Sequence, residues 1–478
     1  GGTPAAPPAR GRPAGGAPGP GHLAGPGGEV NATLRRYYKS AFSWKRGEFT
    51  IGSDSRYDYT TLSRSLHPAP AFRPIDLALA PGEAAAALRH LPGLAFFDSA
   101  GNLSRPQALS IIAARPDREL VGTIEEPGEL KEELRKRSVT RTDCGFPLGA
   151  ACGWLAYDGT FRFGFYEDLL VYNHATAQWF EVGSLRDDLQ PAQFSSAEID
   201  TRWKSNFSRD EFVERVRIAQ EYIASGDIYQ VNLSQQFHSL LPLGAPLFSL
   251  YDRLRAVSPA PMAAYLQQGE REILSSSPET FLRMHGRVIE TRPIKGTRPR
   301  FADPELDSRS AFELQTSEKE IAELVMITDL ARNDLGRVCE FGSVKVTEML
   351  KHERLEQVHH LVSTVTGQLR EGLDQVDVLQ SCFPGGSITG APKKRAMEVI
   401  AELETVPRGL YTGAIGYLGF NGESQFNIAI RTMDRNGQCL AYGVGAGIVA
   451  DSDPEMEYEE TLQKAEGIRL ALARGRCG

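Results

Sequence analysis

The groups best suited to chemistry in this sequence are a carboxyl and an amine that lie close together along the chain. Glu279, in Ser275-Ser276-Ser277-Pro278-Glu279-Thr280-Phe281, and Lys295, in Pro293-Ile294-Lys295-Gly296-Thr297, flank a segment that reads as a β-hairpin. With His285-Gly286 as its two-residue turn, Glu279 falls opposite Arg292, and Lys295 lies about 10 Å further on at ~3.3 Å per residue. Gly296 permits close approach of backbone to a ligand. A lysine held out of water near cations loses its proton more readily and can attack carbon, although most lysines are solvated surface charges. Alone, the pentapeptide decides nothing.

Four more glutamates fall into two pairs at one spacing, Glu320 with Glu323 and Glu457 with Glu460, near the starts of two predicted helices. Each pair shares a helix face, and two such faces brought together supply the carboxylates that Mg²⁺ takes while keeping waters or substrate oxygens. No softer ligands stand nearby, which disfavours zinc. Glutamate is also an ordinary residue of a solvated first turn, and that explains either pair by itself. His359 and His360 are adjacent in a strand-like run, so at most one of them faces a shared site, and a satisfied structural imidazole is the default for either. The segment Ser387 to Lys393 opens a helix whose free N–H groups suit a carboxylate or phosphate. Gly443-Val444-Gly445-Ala446-Gly447 is a dinucleotide loop only superficially. Apolar Ile448-Val449 follows where a helix should start, which argues against nicotinamide while leaving close backbone contact with an anion.

These groups need elements to hold them. Ser208 and Glu211 form a capping box, and Phe212, Val216, Ala219 and Tyr222 then recur at helical spacing as far as Gly226. The following run alternates, which sends Gln230, Asn232 and Ser234 to one polar face of a strand. Helices are predicted from Ser317, from Thr389 with Pro392, and from Asp453 with Pro454 as far as Leu472; Gln425 to Ile430 and Ala441 to Val449 read as strands. From about Tyr37 to Phe194, short apolar stretches broken by Gly and Pro predict strands with long loops. Strands and helices in no regular βαβ order give an α+β fold. Residues 1–28 hold ten Gly, seven Pro and six Ala and read as a disordered tail. An N-terminal region over 29–205 and a second domain over 206–478 follow.

The 478 residues are 41% hydrophobic and 24% charged, which excludes a disordered chain, a collagen and a coiled coil. A net charge of -8 offers no basic field for a phosphate backbone, so nucleic acid is not an expected partner. No apolar run reaches the about 18 residues of a spanning helix, which predicts a soluble, cytoplasmic protein without a membrane partner. Six cysteines without a CxxC pair indicate reduced thiols.

From about Ser208 to Lys464, and more weakly over Phe96 to Phe180, the chain resembles the chorismate-utilising enzymes. Six motifs carry the resemblance in the family's order: the lysine pentapeptide, Asp329-Leu330-Ala331-Arg332-Asn333-Asp334-Leu335-Gly336-Arg337, His360-Leu361-Val362-Ser363, Thr389-Gly390-Ala391-Pro392-Lys393, Ala429-Ile430-Arg431-Thr432 and Glu457-Tyr458-Glu459-Glu460-Thr461. The resemblance implies two packed, largely antiparallel sheets flanked by helices, with residues 29–205 like the N-terminal region of anthranilate synthase component I. It implies Mg²⁺ surrounded by Glu320, Glu323, Glu457 and Glu460, with Glu323 and Glu460 as direct ligands, gripping the ring carboxylate of chorismate. Tyr411, Arg431 and the backbone of Gly445, Ala446 and Gly447 are implied to hold the enolpyruvyl carboxylate, Arg431 through its bidentate fork. Thr297 and His360 line the ring, and Gln230, Asn232 and Lys393 complete the substrate side.

Two positions sort the family. Isochorismate and salicylate synthases carry a lysine where this chain has Gln230, which cannot take a proton at neutral pH, so water is disfavoured as the nucleophile. Anthranilate synthases carry alanine where this chain has Lys295. The resemblance therefore points to the members that make 4-amino-4-deoxychorismate, on the way to 4-aminobenzoate and folate. In them the lysine adds to ring C2, Glu279 assists departure of the 4-hydroxyl, and ammonia enters at C4. An anthranilate-forming enzyme, or a silent subunit that binds chorismate or Trp, is the alternative. No cysteine has glutaminase surroundings, so ammonia is expected from a glutamine amidotransferase, either a separate subunit or one fused ahead of the tail.

Overall fold

The capping box at Ser208 forms as read: Ser208 Oγ accepts from the Glu211 N–H, and the Glu211 carboxylate accepts from the Ser208 N–H at 2.8 Å. The computed structural model describes Gly1 and residues 67–99, 108–140, 144–192, 194–195, 202–242, 244–355 and 358–473. The predicted tail lies outside the described residues apart from Gly1.

Two antiparallel sheets hold the described strands. The larger, of twelve strands, runs in the order β1 (Phe72–Ile75), β8 (Gln178–Val182), β7 (Leu169–Asn173), β3 (Leu109–Ala113), β2 (Ala95–Asp98), β11 (Met262–Gln268), β12 (Arg271–Ser277), β21 (Thr432–Asn436), β22 (Cys439–Ile448), β10 (Gln230–Leu240) and β18 (Gly390–Ala391), with β9 (Lys204–Ser205) beside β10. The second, of ten, runs β15 (Ile294–Pro299), β17 (Val358–Gln368), β14 (Val288–Arg292), β13 (Thr280–His285), β20 (Glu423–Ile428), β19 (Ala414–Gly419), β5 (Ala150–Leu155), β6 (Thr160–Tyr166) and β4 (Arg118–Thr123), with β16 (Lys345–Arg354) on β17. The helices are α1 (Pro81–Ala87), α2 (Gly128–Arg137), α3 (Arg209–Ala224), α4 (Leu247–Val257), α5 (Pro304–Thr316), α6 (Glu318–Gly336), α7 (Gln375–Cys382), α8 (Lys393–Leu403), α9 (Pro454–Lys464) and α10 (Glu466–Ala473). Each sheet draws strands from both sides of residue 205.

Apolar faces set the layers. Phe97, Ile111 and Ala264 of the larger sheet meet Trp154, Tyr166, Ile415 and Tyr417 of the second in a shared core. Helices α4 and α10 cover the larger sheet through Phe248, Tyr251, Leu254 and Ile468; α2 and α7 cover the second through Leu130, Leu134, Val376 and Leu379. Burying each such side chain is worth roughly 1.5–3 kcal/mol. Helices α3 and α8 pack on β10 and β22.

Three local expectations change. The hairpin turn is Gly286-Arg287 rather than His285-Gly286, because Gly286 takes the positive φ (58°) that a tight turn needs; His285 pairs with Val288, and after a register shift Arg292 faces Thr280, not Glu279. β14 and β15 are one strand broken at Pro293, since both lie along β17 in a continuous register, Val288 with Gln368 and Ile294 with Val362. Gly296 then forms a bulge at φ 74°, where a Cβ would sit 2.6 Å from Leu314 Cδ1 and 3.1 Å from Glu320 Oε2. Its smallness admits α5 and Glu320 rather than a ligand. The C-terminal helix is two, α9 and α10, and α8 begins at Lys393 after the short strand β18 that pairs with Gln230.

Candidate active site

The floor of the site is made by missing side chains. Gly443, Gly445 and Gly447 alternate along β22 and so present one face. A Cβ on Gly443 would lie 2.3 Å from Tyr411 Cγ, one on Gly445 2.9 Å from the Tyr411 hydroxyl, and one on Gly447 2.4 Å from Gln230 Nε2 and 3.3 Å from Lys295 Nζ. Ala446, between them, is buried in the core behind the strand, so it can offer a ligand only its backbone. Gln230 and Asn232 come from the polar face of β10 beside this floor, and the Asn232 side chain hydrogen-bonds Tyr411.

Lys295 reaches the floor from the other sheet. Its Nζ lies 3.2 Å from Glu323 Oε2, and Gln230 Nε2 donates to the same oxygen at 3.2 Å. Its partner is thus a carboxylate and not a cation. Glu279 is buried just before β13, and burial pushes its carboxyl up to about 7 against the opposing pulls of the Ser387 hydroxyl, Lys295 and the Ile294 N–H. A half-protonated carboxyl near neutrality is suited to general acid catalysis.

Both glutamate pairs line this region. Burial raises the Glu320 carboxyl, and Glu323 and Glu460 add to the effect while Arg298 and Lys295 oppose it. Glu460 pairs with Lys464 at 2.7 Å. Glu457 accepts from Ser452 Oγ at 2.7 Å and from Lys319 Nζ at 3.2 Å, and its Oε2 is buried with no hydrogen-bond partner. Glu457, Glu323 and Glu460 together hold the Lys319 amine above its ordinary range despite its partial burial. Among the described residues no three His, Cys, Asp or Glu side chains are gathered into a metal-holding group.

His360 and His359 face opposite ways, as adjacent residues of a strand must. His360 Nδ1 lies 3.0 Å from Thr297 Oγ1 and its Nε2 is buried without a partner; burial and then Arg431 lower its pKa to about 4, so the ring is neutral at pH 7. His359 turns away to Asp307 at 3.0 Å. Arg431 adopts φ 49°, a left-handed conformation rare outside glycine, and no carboxylate among the described residues pairs with it. Burial lowers its pKa. Its guanidinium is ready for an incoming carboxylate.

Lys393 is not in this group. Its ammonium is taken up by Asp334 at 2.6 Å, the Pro384 carbonyl at 2.8 Å and the Cys382 carbonyl at 3.1 Å. Sequence reasoning missed Ser387 as the partner of Glu279, Lys319 among the glutamates, and Arg408. The Arg408 guanidinium, fully buried, pairs with Glu404 through Nε at 2.9 Å and Nη2 at 2.7 Å, and also donates to the carbonyls of Asn232 and Ile388. Only the sequence motif around Thr389 hinted at the Ser387 loop; nothing in the pattern singled out Arg408.

A buried acid, a lysine on a glycine floor, an unpaired arginine and carboxylates on two helices come together here. Residues 104–469 match the model of the chorismate binding enzyme family. The chain belongs to that family. It is 41% identical over 382 residues to aminodeoxychorismate synthase component 1 of Escherichia coli, covering 74% of this chain and 84% of the relative. It is 48% identical over 314 residues to anthranilate synthase component 1 of Streptomyces coelicolor, covering 63% of this chain and 61% of that one. The crystal structure of anthranilate synthase component I from Streptococcus pneumoniae superposes with a TM-score of 0.66 at 29% identity, covering 76% of this chain and 92% of that one.

Proposed function

We propose that this chain replaces the 4-hydroxyl of chorismate by an amino group, giving 4-amino-4-deoxychorismate, upstream of 4-aminobenzoate and folate. The observation that carries the reading is the Lys295 amine set between Glu323 and the floor at Gly447, on the same substrate side as the buried acid Glu279. Lys295 Nζ, as the neutral amine, forms a bond to ring C2 as the two conjugated ring double bonds shift and the C4–O bond breaks; Glu279 gives the proton with which that oxygen leaves as water. Ammonia then forms a bond to C4, and the lysine leaves C2 as a neutral amine. Gln230, lacking a basic atom, does not activate water in competition. Arg431 binds the enolpyruvyl carboxylate, while neutral His360 and Thr297 line the ring.

The carboxylates suit Mg²⁺, which needs only one or two of them beside substrate oxygens and waters, and the unpartnered Glu457 Oε2 supports such a ligand. Held by Glu323 and Glu460 with Glu320 and Glu457 around it, Mg²⁺ would bind the ring carboxylate and offset its charge. The relatives' name, component 1, supports a second component, which we take to be a glutamine amidotransferase that supplies ammonia.

The test is product analysis with purified chain, chorismate, Mg²⁺ and an ammonium salt. Chorismate should be consumed without pyruvate release until an aminodeoxychorismate lyase is added. Fluorescent anthranilate formed with pyruvate would overturn the reading and favour an anthranilate synthase, which the relative at 48% identity supports. No turnover would favour a silent binding subunit.

A further inference from the structure

Behind Glu279, between β13, β14 and α6, lies a cavity of ≈ 30 Å³. A water molecule needs about 10–15 Å³ of such space, so the cavity has room for about two or three molecules of that size. Of the residues assigned above to catalysis, substrate or metal, Glu279 alone lines it. Glu279 thus touches both regions: Ser387, whose side chain hydrogen-bonds its carboxyl, lines the cavity with it, and Lys295, which also acts on the carboxyl, is not in the lining. Phe281, Leu282, Ile327, Leu335 and Ile428 make much of the wall apolar, with Thr280 and Thr291 as uncharged polar members. Asp334 stands in the lining with both its oxygens taken, bonded to Lys393 at 2.6 Å and to Arg337 at 2.8 Å. Ala331 and Thr291 are half-exposed, so the space is not sealed from solvent.

We propose that this cavity is the port through which neutral ammonia reaches C4, past the carboxyl of Glu279. The inference rests on the amination reading above. To protonate the departing 4-hydroxyl, Glu279 must lie against C4, and the nucleophile that replaces that hydroxyl must arrive at the same carbon. A small, mostly apolar space whose one lining aspartate is already paired with two cations favours a neutral molecule of water size over an ammonium ion, whose desolvation is expensive. Protons balance without a further base. As the C4–N bond forms, the C2–Nζ bond of the lysine adduct breaks and its electron pair leaves with Lys295; the extra proton on the new nitrogen passes to the Glu279 carboxylate. Glu279 returns to the acid form that the next turnover requires.

Ala331→Leu should fill the half-exposed side of the port without touching the substrate face. With ammonium chloride as the varied substrate, KM for ammonium should rise about tenfold or more while KM for chorismate and kcat at saturating ammonium stay within about twofold. An unchanged KM for ammonium would overturn the port. A fall in kcat with that KM unchanged would also overturn it, showing instead that the cavity passes water or protons. Unchanged KM for chorismate confirms that the variant is folded; if it is not, Ala331→Met, more flexible at the same place, is read by the same criteria. A wild type that yields no aminated product removes the amination reading, and the port falls with it.

Discussion

Lys295 and Gln230 converge on a single atom: from strands of different sheets, each sets a side-chain nitrogen 3.2 Å from Oε2 of Glu323. That oxygen is where the two sheets and helix α6 are tied together at the site. An amide in its place keeps the shape but loses the charge that holds the amine, and with it a direct metal ligand of the proposal. Glu323→Gln, and likewise Glu460→Gln, should weaken Mg²⁺ and chorismate binding together, read by calorimetric titration of each with the other present. Unchanged metal isotherms would exclude these two as ligands.

The amine itself is tested by mass. Intact-mass spectra of wild type quenched during turnover should show an adduct of chorismate less water, and Lys295→Ala should show none. Lys295 also draws the Glu279 carboxyl downward, so its removal should move the ionisation of Glu279 to higher pH.

Glu279 sets the pH dependence. Burial raises its carboxyl from 4.5 to about 7, and in the proposed reaction only the protonated form releases the hydroxyl, so kcat should fall as pH rises through about 7. Glu279→Gln should remove that limb and lower kcat by roughly 10²–10⁴-fold, the usual contribution of a positioned acid. The linkage to stability has the same sign. Because the folded-state value lies above the unfolded one, the protonated group stabilises the fold fully below about 4.5, and that contribution is lost as pH climbs through about 7. Thermal denaturation between pH 5 and 9 should therefore decline more in wild type than in the glutamine variant.

Arg408 is a structural knot under the substrate floor. Its pairing with Glu404, whose Oε1 also accepts from the N–H and hydroxyl of Ser234, holds β10, α8 and the turn before Tyr411 together. Arg408→Leu leaves the buried Glu404 carboxylate without its counter-ion, holding only the Ser234 donors, and takes a donor from the carbonyls of Asn232 and Ile388. The loss should be about 3–5 kcal/mol in chemical denaturation. Glu404→Gln together with Arg408→Leu should recover part of it, because the uncompensated charge is gone.

Local signals were legible where one residue's own chemistry decides the outcome. The Ser208 box, the strand alternation at Gln230 and Asn232 and the opposed faces of His359 and His360 follow from short-range rules, and the structure keeps them. What was illegible depends on distant partners. The turn at Gly286 shifts by one residue because positive φ belongs to the glycine itself, and no spacing rule reveals that β14 and β15 share one edge of β17. Lys393 looked available because Asp334 is 59 positions away in sequence yet bonded to it. The glycine run suggested an anion contact but not its main role, which is to leave room for Tyr411, Gln230 and Lys295. Sequence spacing, in short, reads faces and misses neighbours.

The interleaving of the strands bears on any attempt to produce residues 206–478 by themselves. β11 takes β2 as one neighbour, Tyr265 against Phe96, and β19 takes β5, Ile415 against Trp154. A fragment starting at residue 206 strips both partners, leaving two apolar strands with bare hydrogen-bonding edges in water. Such edges recruit other chains, so the truncated product should collect as insoluble aggregate, and shuffling this half onto a foreign neighbour should fail for the same reason.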